Sequence, residues 1–252
     1  MNLADQLEEL RFNILRDTSD IIAGDRDSLW SDETLIRYIG DAERRFTRRT
    51  LILRDSTTPN VVQFKLKNGV KTYAVDKSIL SVISANYDGA QSDLLHSGHA
   101  MVVAAPPPTF MTFNPNARYD LPPGEPIAFY TDEALVFDYE GTVTMTMYPV
   151  PGPDQDGKII RMRVARMPTT CYDINDLERH SEIPESYQLD MLEWAAYRAQ
   201  RTFDADAGAP TSADAHKKAF DEAVENCIQE AKRKMFQNIG FKYGRNGFAW
   251  VR

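Results

Sequence analysis

Apolar side chains recur at helical spacing at both ends of this chain and at strand spacing in its middle. Leu3, Leu7, Leu10 and Ile14 are four, three and four apart, one stripe of an amphipathic helix. Asp17 to Ser31 reads as a polar loop around Gly24. Ser31 then suits an N-cap, with Asp32 and Glu33 in the first turn favouring the helix dipole. Leu35, Ile39, Ala42 and Phe46 repeat the spacing and Tyr38 widens the stripe. The two predicted helices form a hairpin whose apolar face still needs a partner.

From Thr57 onward the period changes. Val61 to Lys67 alternates apolar and polar side chains, Asn68-Gly69 offers a hairpin turn, and Val70 to Val75 follows as the returning strand. Ile79 to Ala85 predicts a further strand. The prolines of Pro106-Pro107-Pro108 and Pro122-Pro123-Gly124 predict loops or edge strands. Thr142 to Tyr148 sets Thr on one face and Val or Met on the other. Its expected partner is Ile160 to Val164, with Arg161 and Arg163 facing outward across a long exposed loop, Pro149 to Gly157. The middle thus predicts a small antiparallel sandwich of about six to eight strands.

Helix returns after Pro184, with Leu189, Leu192, Ala196, Ala199 and Phe203 in one stripe beside Trp194 and Tyr197. After a small-residue loop from Asp204 to Pro210, Thr211 and Asp214 have capping-box spacing. They open a long helix marked by Phe220, Val224, Cys227, Ala231 and Met235. Neither helical pair can hide its stripe alone, so the expected fold is α+β. The two ends, 1–56 and 180–238, close one antiparallel helical bundle, the β-sandwich is inserted at 57–179, and 239–252 extends as a C-terminal arm.

Composition narrows the function. The 252 residues hold 37 acidic against 29 basic side chains, a net charge of −8, which argues against a dedicated nucleic-acid binder. Cys171 and Cys227 fit no disulfide framework or zinc spacing and read as two small buried hydrophobes. No stretch is apolar enough to span a membrane, and the acidic start is no signal peptide, so the protein is expected to be made and kept in a cytoplasm or carried out of one by something else. The charge is uneven, however. No acidic residue follows Glu230, while Lys232, Arg233, Lys234, Lys242, Arg245 and Arg252 do. Aromatics and arginines dominate protein–protein hot spots, so Phe241, Tyr243, Arg245, Phe248, Trp250 and Arg252 are the candidate partner-binding residues. A frayed terminus and nucleic-acid stacking are the other readings of the same segment.

No catalytic constellation emerges, and no enzyme, metal or cofactor is expected. His96 and His99 lack the helical spacing of a metal pair. Asp25 and Asp27 lack the glycine and distal glutamate of a calcium loop. Hydrolase-elbow, P-loop and dinucleotide fingerprints are missing. Arg44, Arg45, Arg48 and Arg49 share one side of the second helix, as a solvated face or one that meets DNA or an acidic partner. A carbohydrate- or ligand-binding module in the β insertion is the alternative function, with Tyr119, Phe129, Tyr130 and Tyr139 as a sugar platform or as core.

Several segments together carry a likeness. Ile14-Leu15-Arg16-Asp17 and Leu29-Trp30-Ser31-Asp32 through Leu35 to Glu43 resemble the opening of short-tailed-phage head-to-tail adaptor (connector) proteins. Gly40-Asp41 stands where that family commonly has Asn. Glu182-Ile183-Pro184-Glu185-Ser186-Tyr187 and Ala195-Ala196-Tyr197-Arg198-Ala199 are similar to a later helix of the family, and Asp204-Ala205-Asp206, His216 and Phe220 continue the likeness. The resemblance implies a virion protein, assembled in the host cytoplasm, that forms a ring of about twelve copies under the portal. It implies contacts with itself, the portal and a tail or nozzle protein, and a channel through which genomic DNA passes without specific binding. It also implies that the C-terminal segment, Phe241 to Arg252, reaches a neighbouring ring.

Overall fold

The computed structural model describes residues 1–17, 29–87, 94–96, 122–131, 143–169, 171–202, 210–237, 242–244 and 247–249. It is a mixed structure of helices and mainly antiparallel sheets. The chain divides into two compact units, Met1–Ile52 with Pro168–Arg252, and Leu53–Met167.

In the helical unit, Asn2 opens α1 (Leu3–Glu8) with a reciprocal capping box to Asp5. The predicted single helix continues as a π-helical segment, Glu9–Ile14, and the Leu15 N–H closes onto Leu10 O at 2.9 Å. Ser31 caps α2 (Asp32–Thr50), its hydroxyl accepting from the Thr34 N–H at 3.3 Å. Leu51, in the left-handed region at φ 52°, ends it. Then follow α4 (Gln188–Thr202) and α5 (Pro210–Gln237). One apolar cluster draws on all of them: Leu3 and Leu10, Leu35, Ile39 and Phe46, Leu192 and Ala196, Phe220 and Val224. The alanines at 195, 196 and 199 are fully buried, which lets neighbouring helices approach α4 closely. Leu189 departs from its predicted stripe and is 51% exposed. It lies in the first turn of α4, where Met191 takes the core position, and Gln188 turns inward to donate to Ile183 O at 2.7 Å.

The second unit is built on β8 (Ile159–Arg166). It pairs with β4 (Ile79–Tyr87) on one side and with β1 (Arg54–Asp55) and β2 (Gln63–Lys65) in succession on the other. The buried β4 residues Ile79, Val82 and Ala85 are three apart, which no regular strand permits. Register shifts after Ile79 and Val82 return each to the core face. A second sheet runs β3 (Thr72–Ala74), β7 (Thr144–Tyr148), β6 (Ala128–Thr131), β5 (Leu95–His96), with β5 and β6 parallel. Residues of both sheets share one apolar cluster, including Val82, Phe129, Met145, Met147 and Ile160.

Three pairings differ from expectation. Val61 and Val62 lie in a helical turn, α3 (Pro59–Val62), where adjacent side chains can both be buried as alternation forbids. The strands flanking Asn68-Gly69 do not form a hairpin. Leu66 N donates to Lys158 O while Met147 N donates to Lys71 O, so a different sheet recruits each flank. Likewise β7 does not pair with β8, and Pro149–Gly157 crosses between sheets with a short 3-10 turn at Pro153–Gln155. The Thr face of β7 is covered as well. Thr146 is buried, with its hydroxyl 3.3 Å from that of Thr72.

The start and finish of this unit are joined locally. Arg166 N donates to Leu53 O at 2.9 Å. Asp55 accepts from Thr57 N at 2.8 Å, Thr58 N at 3.1 Å and Arg166 Nε at 2.8 Å. Burial opposes its charge, but these bonds prevail and hold the carboxyl far below the usual carboxylate range.

Candidate protein-interaction site

The cavity of interest lies in the helical unit, between the middle of α2 and the segment 168–174, with a volume of about 280 Å³. Ile36, Gly40, Pro168, Tyr172 and Ile174 give it apolar walls. Gly40 sits in mid-helix, and a Cβ there would meet the Tyr172 ring at 3.5 Å. Arg37 and Arg44 line one part of it, Glu33 and Asp173 another, and Cys171 also reaches it.

Glu43 also lines the cavity and is 3% exposed. Three donors converge on its Oε1: the Ser181 hydroxyl at 2.6 Å, the Tyr172 hydroxyl at 3.1 Å and the Glu182 N–H at 3.1 Å. Among the described residues no donor reaches Oε2 and no cation pairs with the carboxyl. Burial raises its pKa despite those bonds, and burial beside Glu43 raises that of Tyr172. The carboxyl therefore staples the segment 172–182 onto α2. Sequence reasoning missed Glu43, Gly40 and Tyr172. One signal was present: Glu43 is four residues after Ile39 and three before Phe46, inside the apolar stripe.

Beyond the cavity the segment is acidic. Asp173, Asp176, Glu178 and Glu185 are exposed, as are Ile174 and Leu177 at 39% and 37%. The start of α1 joins this edge through Leu3 N to Arg179 O at 2.8 Å and Ala4 N to Leu177 O at 3.0 Å, which adds the exposed Asp5 and Glu8.

All four arginines of the α2 group are exposed, and two of them also have partners. Arg45 lies over the Trp194 ring at 3.9 Å, and Arg49 pairs with Asp221 over the Phe220 ring. Between them Asp41 accepts from Trp194 Nε1 at 2.9 Å and Arg198 at 2.7 Å. Burial opposes its charge, but these bonds and the nearby arginines hold its pKa below the ordinary value. Arg48 is exposed.

Of the tail residues singled out, Tyr243 and Phe248 pair across β9 (Lys242–Gly244) and β10 (Gly247–Ala249), a short antiparallel pair within the tail. Phe241, Arg245, Trp250 and Arg252 lie outside the described residues, as do Asp25, Asp27, His99, Asp204 and Asp206. Ile228 of α5 packs on the core, and Gln229, Glu230, Lys232, Arg233 and Lys234 are exposed.

Compared with known protein families, residues 1–239 match the model of the SU10 adaptor protein. The chain belongs to the SU10 adaptor protein family. No curated protein matches it. The resemblance to phage head-to-tail adaptors therefore holds for the family, and the adaptor is a bacteriophage structural protein of the virion. The family match ends at residue 239, before the basic aromatic tail. In this adaptor Cys171 is exposed, contrary to its reading as a buried hydrophobe, because it stands on the rim of the cavity; Cys227 is buried. Phe129 is fully buried between strands, which removes it from any sugar platform, and Tyr119 and Tyr139 lie outside the described residues. Among the described residues no cluster of metal-ligating side chains occurs, and no helix is long and apolar enough to cross a membrane.

Proposed function

We propose that the protein is a head-to-tail adaptor in the full sense: a ring of copies that joins the portal to the tail and leaves a channel for genomic DNA. The family match over residues 1–239 carries this reading. In it, the two chain ends form one antiparallel helical bundle and the β-rich insertion is a sandwich on that frame. The residues from 239 onward are an arm, with Phe241, Tyr243, Arg245, Phe248, Trp250 and Arg252 as its contacts. A ring subunit of this kind needs lateral faces, a rigid core and a reaching segment, and it needs no active site. The helical core and the exposed Lys232, Arg233 and Lys234 of α5 support two of those parts. A net charge near −14 over the first 230 residues suits a conduit that must not grip DNA.

Electron microscopy of the purified protein mixed with its portal tests the reading. Rings decorating the portal are expected, and portals left bare at micromolar protein refute it. Removing Gly240 to Arg252 should leave the circular dichroism of the helices unchanged and weaken assembly.

A further inference from the structure

We infer that the cavity between α2 and residues 168–174, with the acidic edge beside it, is the socket for the C-terminal arm of a second copy of this chain. The inference rests on reading residues 239–252 as an arm and names what that arm holds.

Three observations carry it. The cavity is side-chain sized and its walls mix apolar and charged groups, so an aromatic ring can enter against Ile36 and Tyr172. Its carboxyl, Glu43, takes all three of its donors on one oxygen, which leaves the other to accept from an incoming group. An indole N–H or a guanidinium supplies such a donor. The tail offers both kinds of group in Trp250, Arg245 and Arg252. Thirdly, the charges match. The edge carries Asp5, Glu8, Asp173, Asp176, Glu178 and Glu185 around two exposed aliphatics. The tail carries cations and aromatics and no acid. Arg37 and Arg44, on α2 with Ile36 and Gly40, can lie over an incoming aromatic face.

The geometry favours a second copy over the same chain. Phe220 of α5 packs on Phe46, and Cys227, two turns later, lies beside Thr50, the last residue of α2, so α5 travels toward the C-terminal end of α2 and beyond. Gly40 lies ten residues before Thr50, about 15 Å back along the helix. The arm of one chain therefore leaves from the end of α2 away from its own socket.

Cys171 supplies the test, because its thiol stands on the socket rim while Cys227 is buried. In the full chain, Val251→Cys places a thiol next to Trp250. Mild oxidation with diamide should then give disulfide-linked multiples of the chain on denaturing gels. The ladder should vanish with Cys171→Ser and in about 0.5 M salt. It should fall about tenfold with Glu43→Gln, which removes the charge and turns a donor toward the socket. Gly40→Leu fills the cavity and should also abolish it, with circular dichroism confirming that the helices remain. A product linked within one chain, no linked product, or a ladder indifferent to Gly40→Leu each overturns the inference. Portal decoration is scored separately on the unlinked protein. Rings without the Cys171 linkage leave the adaptor reading standing and remove the socket; linkage without portal binding does the reverse.

Discussion

Replacing Asp55 with Asn removes one charge and almost no volume. Its two oxygens divide the work: Oδ1 accepts from Thr57 and Thr58, and Oδ2 accepts from Arg166 Nε. An amide that keeps its oxygen on the threonine side turns an NH₂ group against a guanidinium that is itself mostly buried, at 15% side-chain exposure. Leaving one partner of a buried ion pair uncompensated costs about 3–5 kcal/mol. For a unit of about this size each kcal/mol moves the melting midpoint by roughly 4 °C, so a fall of about 12–20 °C is expected at pH 7. Calorimetry gives the midpoint, and hydrogen exchange in β1 and β8 assigns the loss to the β unit. The pH dependence is the sharper test. A carboxyl depressed on folding stabilises above its unfolded pKa near 4 and loses that contribution as pH falls toward the folded value. The gap between wild type and variant should therefore be constant from pH 7 to 5 and close progressively below about pH 4. A midpoint within about 3 °C of wild type at pH 7, or a gap that persists unchanged into acid, would refute the assignment.

Gly40→Ala should raise stability by about 0.5–1 kcal/mol in urea unfolding, since a mid-helix glycine is replaced at a site whose new methyl meets Tyr172 at an ordinary distance. Phe220→Ala should cost about 3–5 kcal/mol, because the ring is fully buried against Phe46 and Trp194. Glu43→Ala strands the Tyr172, Ser181 and Glu182 donors and should cost about 1–3 kcal/mol, with faster exchange in 172–182. Glu43→Gln keeps the acceptor; because burial raises the Glu43 pKa, folding penalises the charged form, so this variant should gain on wild type as pH rises and lose that gain in acid.

The helices were legible because each buries one stripe, and a 3.6-residue period records that directly. Ser31 as cap and Leu35, Ile39, Ala42 and Phe46 as core follow from local chemistry. Leu189 escaped because the buried arc of α4, running through Gln188, Met191, Leu192, Ala195 and Ala196, passes beside it. Strand pairing was the least legible part. Alternation marks Thr144 to Tyr148 as a strand but does not say that Thr72 to Ala74 and Ala128 to Thr131 lie beside it, since pairing depends on contacts distant in sequence. The socket was hidden for the same reason. Gly40 and Glu43 acquire meaning only once Tyr172 and Ser181, some 130 residues later, fold over them.

The hydrogen bond from Arg166 N to Leu53 O has a consequence for how such a molecule can change over time. The Arg54–Ala165 pairing extends it, so the inserted unit leaves and rejoins its host through neighbouring backbone positions. A segment whose two ends are already side by side can be lengthened, shortened or replaced without stretching the helices that carry it. The helical unit is thus the chassis, and the β unit a module that can be exchanged upon it.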